Sequence, residues 1–242
     1  MKTPKRAPLR RTASTTVTAP APKRVSLSRE IILDAAFRIV DGGVDDVTMS
    51  KLGAELGADP SAVYRHFRNK DELLLAMADV MLEESIAAYV EGDAPVENLR
   101  RMVWSLRRSY LRRPGLARFV TYRFTGGEAE AASVRTMIKN IGELGYDETE
   151  SIKRVRALAE MTLGHISMTA DVLSLPRKAQ AFELSMATSY YTYELQRQPK
   201  RTDEELRAEQ LADGEAVYST MLETFLAGLV AEAPKKRRST GS

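Results

Sequence analysis

Between Thr48 and Phe67 the chain reads TMSKLGAELGADPSAVYRHF, and the punctuation inside this stretch defines two helices too short to stand alone. Thr48 is a good N-cap for a helix over 49–56, whose Met49, Leu52 and Leu56 share one face. Gly57 can end that helix in a left-handed conformation. Asp59 can cap, and Pro60 suits the first position of a third helix running from 60 to about 66. Because helix nucleation is unfavourable, segments this short need tertiary support. Leu52, Leu56, Val63 and Phe67 must therefore pack on the helix predicted over 29–41, which Ser28 caps and the DGG at 41–43 stops. That helix offers Ile31, Ile32, Ala35, Ala36, Ile39 and Val40 at three- and four-residue spacings. Three helices so arranged make a helix-turn-helix, and the second short helix is the one free to enter a DNA major groove.

The rest of the chain reads as helix. Asn69, with Glu72 at the capping-box spacing, opens a long apolar-faced segment that EGDAP at 91–95 breaks. Helices are predicted over 97–112, 115–124, 128–144, 148–173, 178–197 and 203–231, with Pro114, Gly126, Gly127, Gly145, Pro176 and Pro199 as punctuation. No alternating β-branched run and no internal repeat occur, so the expected fold is all-α. It divides into a flexible arm (1–27), a helix-turn-helix domain (28–74), a larger helical domain (75–233) and a basic tail (234–242).

Several function classes drop out. The chain has no cysteine, which removes disulfides, thiolate catalysis and cysteine-based zinc sites. His66 and His165 lie about a hundred residues apart and form no recognisable metal site; no metal and no cofactor are expected. With no nucleophile elbow and no phosphate loop after a strand, nothing marks an enzyme. The basic start is not apolar enough for a signal peptide and no run is long enough to span a bilayer, so a cytoplasmic protein is expected.

Charge is unevenly placed. Residues 1–29 carry eight Lys and Arg and no acid, and Lys235, Lys236, Arg237 and Arg238 add four more. Without those twelve, 24 basic residues face 33 acidic ones, a net of −9. An acidic body with basic ends is drawn to a polyanion through the ends, an attraction that salt weakens. Residues 30–70 carry five basic and seven acidic side chains, a net of −2. DNA binding by this module therefore requires its positive charge to gather on one face, or the arm to add contacts in a neighbouring minor groove.

REIILDAAFRIVDGGVDDVTMSKLGAELGADPSAVYRHFRNKDELLLAM, from Arg29 to Met77, resembles the DNA-binding domain of tetracycline-repressor-type (TetR family) transcriptional regulators. The resemblance rests on an ordered frame: AA in the first helix, glycine before a hydroxyl-capped second helix, LG at its end, VYRHF in the third and NKDEL opening the fourth. It implies a homodimeric repressor whose helical regulatory and dimerisation domain binds a small molecule and changes the spacing of two DNA-reading heads on a palindromic operator. By that pattern residues 59–66 form the recognition helix. Thr48, Tyr64 and Lys70 meet phosphates, and residues 58–62, with Asp59, Pro60, Ser61 and Ala62 among them, lie with Arg65 nearest the bases. Lys51 and His66 flank the same surface. Pro60 has no N–H to offer a base, so it either touches a thymine methyl or fixes the helix start.

In the larger domain, aromatic and Met residues are candidates for an effector site: Trp104, Tyr110, Phe119, Tyr122, Met161, Met168 and Tyr190, with His165 and Arg108 as polar anchors. Phe124, Tyr191 and Tyr193 belong to the same set, and an inward Arg108 or Arg112 would favour an anionic ligand; otherwise the effector is expected to be mostly apolar. Ile152, Val155 and Ala159 on one late helix and Met221, Phe225 and Leu229 on the last are the candidate dimer surface. A contrasting reading is an all-helical ligand sensor or protein-interaction module whose helix-turn-helix no longer reads DNA; the acidic balance of 30–70 is its motive.

Overall fold

A computed structural model describes residues 27–42, 47–191 and 202–234. The basic arm up to residue 26, Asp45 and Asp46 of the first turn, Tyr193, Pro199 and the tail from Lys235 lie outside the described residues. The described chain is helical throughout: α1 Arg29–Asp41, α2 Met49–Leu56, α3 Pro60–Tyr64, α4 Lys70–Ala87, α5 Pro95–Leu111, α6 Pro114–Val120, α7 Glu128–Glu143, α8 Glu148–Leu173, α9 Arg177–Tyr191 and α10 Asp203–Ala231.

Each short helix is held at its start by a side chain. Ser28 accepts from the Ile31 amide, Thr48 from Lys51, Asp59 from Ser61 and Asn69 from Glu72. These caps satisfy backbone donors that a helix leaves open at its first turn. Gly57 is left-handed at φ 59° and closes α2. The Glu72 carboxylate reaches back one residue further than a capping box, accepting from the Arg68 amide at 2.9 Å and not from Asn69.

The helix starts match the sequence pattern more closely than the ends. α3 stops at Tyr64, and α6 stops at Val120 rather than 124. The four residues after Val120 are drawn out of helical register because the next stretch is tied down elsewhere. The Thr125 hydroxyl donates to Asp79 Oδ1 at 2.9 Å, the Gly126 amide donates to Glu130 Oε2 at 2.9 Å, and Gly126 itself sits at φ 69°.

Packing runs through two clusters. The first joins Ile32, Ala35, Ala36, Leu52, Val63 and Phe67 to Leu73, Met77 and Met81 of α4, and continues to Leu116, Ala117 and Val120 of α6 and Ile166 and Ala170 of α8. The second gathers Leu99, Ile141, Val155, Leu158, Tyr218, Leu222 and Leu226 from α5, α7, α8 and α10. Thus α4 is the common element: its start closes the small head, and the rest packs on α5 and α7 of the body.

Candidate functional site

The head is built so that α3 stands clear of the core. Val63 and Phe67 are fully buried beneath it, which turns the intervening Tyr64 and Arg65 outward; Tyr64 is 52% exposed. Ser61 is exposed and Ala62 half-buried on the same short helix. The angle between α2 and α3 is fixed by backbone contact, because a Cβ on Gly53 would lie 2.8 Å from the Ala58 carbonyl oxygen and 3.2 Å from the Pro60 nitrogen. Glycine alone allows that approach.

The other residues assigned to this face are partly committed to structure. Thr48 accepts from the Lys51 amide at 3.2 Å, leaving its hydroxyl proton free to donate outward. Asp59 accepts from the Ser61 amide at 2.8 Å, and the Ser61 side chain and amide hold its carboxyl below the ordinary carboxylate range. Asp59 and Pro60 thus set the start of α3. The carbonyl of His66 accepts from Arg29, whose guanidinium also lies 4.1 Å from the Phe67 ring centroid and 3.0 Å from Glu72. Lys51 is exposed, and Lys70 opens α4 with its ammonium 5.8 Å from the Phe119 ring centroid.

Three of the seven acidic side chains of residues 30–70 are engaged inside the protein. Glu55 accepts from Arg38 at 3.0 Å, Asp59 is a cap, and Asp41 accepts from Arg113 of the body at 2.8 Å. What α3 turns outward is Ser61, Tyr64 and Arg65, a set of donors suited to phosphates and base edges.

Arg113, only 14% exposed, binds two helices at once. It donates to Asp41 at the end of α1 and to both Glu84 oxygens on α4, at 3.1 and 2.9 Å, with its guanidinium 4.5 Å from the Phe37 ring centroid. Partial burial pushes the Glu84 carboxyl up, but the Arg113 and Arg112 guanidiniums outweigh it and hold the group below its ordinary value.

A cavity of about 120 Å³ opens between α4, α5, α7 and α8. Its wall is mostly apolar, with Met102, Leu106, Met137 and Leu163. Its polar members include Thr125, Glu130, Arg123 and Thr121, whose buried hydroxyl has no hydrogen-bond partner. Phe124 also lines it, although its ring is 86% exposed. Two of the wall residues grip α4: Thr125 through Asp79, and Arg123 through Asp71 at 3.4 Å. The same Asp79 carboxylate accepts from the Glu130 amide at 3.2 Å in the first turn of α7.

Of the residues expected around an effector, only Tyr110 and Phe124 line this cavity among the described residues. Tyr122, Met168 and Tyr190 are 72%, 74% and 75% exposed, and Phe119 lies toward α4's start beside Lys70 and Arg118. Arg108 faces solvent, so the inward placement that would favour an anionic ligand does not occur for it; the inward guanidinium is that of Arg107, the preceding residue on α5. Trp104, Met161 and His165 gather near Arg107 and Tyr218, on the face of α5 that looks toward α8 and α10.

The dimer candidates split. Ile152 is 48% and Met221 37% exposed, and Phe225 is half-buried. Val155 and Leu229 are 4% exposed within their own core and cannot meet a twin, while Ala159 lines the cavity. Val217 and Val230, 48% and 52% exposed, extend the outward apolar stripe of α10. Among the described residues no helix is long and apolar enough to cross a membrane, and no cluster of three potential metal ligands occurs.

Sequence reasoning missed Gly53, Asp79, Thr121 and Tyr218, and it did not tell which of Arg107, Arg108, Arg112 and Arg113 turns inward. Gly53 had a signal, since glycine inside a helix loses stability without a packing reason. The others depend on which elements meet, which one-dimensional periodicity does not carry.

Residues 32–77 match the family described as bacterial regulatory proteins, tetR family. The HTH-type transcriptional repressor Rv1353c of Mycobacterium tuberculosis is 33% identical over 104 residues, which are 42% of this chain and 40% of that one. The chain therefore spans about two fifths of the length of this curated relative. A structural-genomics target from Streptomyces coelicolor superposes with a TM-score of 0.67 at 28% identity, covering 86% of this chain and 99% of that one. The S. coelicolor TetR family protein ActR, solved in complex with actinorhodin, shares the fold with a TM-score of 0.67 at 24% identity, over 86% and 98% of the two chains.

Proposed function

We propose that this chain, a member of the tetR family of bacterial regulatory proteins, acts as a homodimeric transcriptional repressor that a small molecule releases from a palindromic operator. The observation that carries the reading is the outward face of α3, where Ser61, Tyr64 and Arg65 project from a helix whose start and angle are fixed by Asp59, Pro60 and Gly53. A rigid element presenting a phosphate donor beside a guanidinium suits both register and base recognition. Thr48, Lys51 and Lys70 flank it as phosphate contacts. The test is a mobility-shift assay on an operator selected from random duplexes. Arg65→Ala with Tyr64→Phe should lower affinity for that operator by about 10- to 100-fold, the range of one lost bidentate base contact. Unchanged affinity would remove α3 as the reading surface and favour the sensor module without specific DNA binding.

The effector occupies the cavity between α4, α5, α7 and α8. Its wall favours a small, largely apolar molecule, with the unpartnered Thr121 hydroxyl as its polar anchor. A ligand there bears directly on Arg123 and Thr125, which hold Asp71 and Asp79 of α4, and α4 carries the head. Two heads must meet half-sites about 34–36 Å apart, so a modest rotation of α4 is enough to spoil the match. By linkage, the releasing ligand binds the DNA-free protein more tightly, by the factor with which it weakens DNA binding.

The basic residues up to position 26 add a salt-sensitive attraction without sequence preference. Deleting them should lower affinity for operator and random DNA alike and flatten the salt dependence. The twin docks on the outward stripe of α8 and α10, with Ile152, Val217, Met221 and Phe225 as its apolar members. Sedimentation of Met221→Glu should show monomer where the parent chain sediments as dimer.

A further inference from the structure

Three arginines of this chain present the same edge, the one formed by Nε and Nη2. Arg100 clamps the Glu223 carboxylate with it, at 2.7 Å from each nitrogen. Arg113 uses it on Asp41, at 2.8 and 3.4 Å. Arg107, two turns after Arg100 on α5, is 6% exposed, and its Nε and Nη2 are both buried with no hydrogen-bond partner. A guanidinium carries parallel donors matched to the two oxygens of a carboxylate. Leaving such an edge desolvated and unpaired is strongly unfavourable, and burial accordingly pushes the Arg107 pKa down.

The surroundings select what can pair with it. The guanidinium lies 5.6 Å from the Trp104 ring centroid and 5.5 Å from that of Tyr218. Trp104 meets Tyr218 edge-on at 4.9 Å, and His165 stacks on Tyr218 at 5.0 Å. The Tyr218 hydroxyl lies 3.2 Å from the Thr162 hydroxyl, so this hydrogen-bond pair is already formed. Burial, with the Arg107 charge, pushes His165 down to about 4, so the imidazole is neutral near pH 7. Glu215 is the acid that acts on Arg107 through space, and its side chain is exposed and makes no hydrogen bond to it. The cluster thus holds one net positive charge, two aligned donors and a wall of rings.

We propose that the Arg107 edge, walled by Trp104, Tyr218 and His165, is a binding site for a small carboxylate, separate from the apolar cavity. The monoanion is gripped by Nε and Nη2, and an unsaturated or aromatic body lies against the rings. A free small molecule is the occupant rather than an acid from a second subunit, because both nitrogens are enclosed by the chain's own side chains and not presented at its surface. Arg107 and Trp104 are not among the residues that line the apolar cavity, although Val103, one turn before Arg107 on α5, is.

Trp104 is the sole tryptophan, which makes its emission a local reporter of the site. The full-length protein is titrated with sodium benzoate, and with benzamide as the neutral counterpart, at constant ionic strength. Benzoate should change Trp104 emission saturably and benzamide should not. Arg107→Met should weaken benzoate at least tenfold, and Arg107→Lys, which keeps the charge but loses the edge, should fall between. The Lys variant also covers the case in which Arg107→Met fails to fold, since a folded Lys variant with parental affinity would overturn the proposal. So would the absence of saturation in the parent chain, or equal affinity in Arg107→Met, which would place benzoate in the apolar cavity. Benzoate-insensitive emission together with dissociation of the Arg107→Lys dimer in sedimentation would assign the edge to a second subunit's acid instead.

Discussion

The head and the body of this protein respond to added volume in opposite ways. In the head, one missing methyl at Gly53 is what lets α2 and α3 meet backbone to backbone. In the body, large side chains surround a cavity of about 120 Å³ that the packing leaves between four helices. The difference teaches that the two regions are specified by different physics. The head is fixed by short polar contacts at helix ends and one close approach; the body is fixed by apolar contact broad enough to tolerate a gap. A region that must present a reading face gains from rigidity, and one that must admit a ligand gains from incomplete filling.

The contrast can be broken first by removing volume from the body. Leu158 is fully buried between α8 and its neighbours, so Leu158→Ala should destabilise by about 2–5 kcal/mol, read as a lowered unfolding midpoint in urea. Adding a methyl to the head comes next. Gly53→Ala forces a Cβ against the Ala58 carbonyl, at an expected cost of about 1–3 kcal/mol, and should weaken operator binding in mobility shifts more than it lowers the urea midpoint. The matched change in the body, Ala159→Val, points into the cavity; it should leave the midpoint within about 1 kcal/mol while weakening effector release of DNA. A midpoint loss for Ala159→Val equal to that of Gly53→Ala would erase the distinction. A smaller effect is expected at the caps: Asn69→Ala removes the acceptor for the Glu72 amide and should cost about 1 kcal/mol, measurable by thermal unfolding.

The smallest effect concerns the joint between the regions. Glu84 is held below its ordinary value of 4.5 in the folded protein, so it binds a proton less readily folded than unfolded. Its contribution is therefore complete above about pH 4.5 and is lost as pH falls below that value through the folded pKa. Arg113→Met should flatten the pH dependence of the urea midpoint between about pH 5 and 3, and leave the slope above pH 5 unchanged.

How much of this was legible in the sequence follows from the same contrast. Ser28, Thr48, Asp59 and Asn69 accept from amides two or three residues away and Pro60 opens α3 at its first position, so their effect is written locally, and the starts of the head helices match expectation. The end of α6 was not legible, because Thr125 is drawn to Asp79, 46 residues earlier. Side-chain direction in the body was poorly legible for a related reason. A one-residue step on α5 separates exposed Arg108 from buried Arg107, and a 3.6-residue period read from mixed polar and apolar positions does not resolve that step. Val155 and Leu229 belong to an apolar stripe as expected, but whether a stripe meets its own chain or another depends on helices remote in sequence.

Arg113 grasps acids from two helices with different parts of one guanidinium: Nε and Nη2 toward Asp41, Nη1 toward Glu84. Its ring contact with Phe37 adds a third point of attachment on the head. A joint of this kind yields in stages. Asp41 is half exposed and can let go to water while Nη1 keeps its hold on Glu84 and the guanidinium stays over Phe37. Loss of the Asp41 contact alone therefore leaves the end of α1 fastened to α4 through Phe37, Arg113 and Glu84, beside the apolar core that the two helices share.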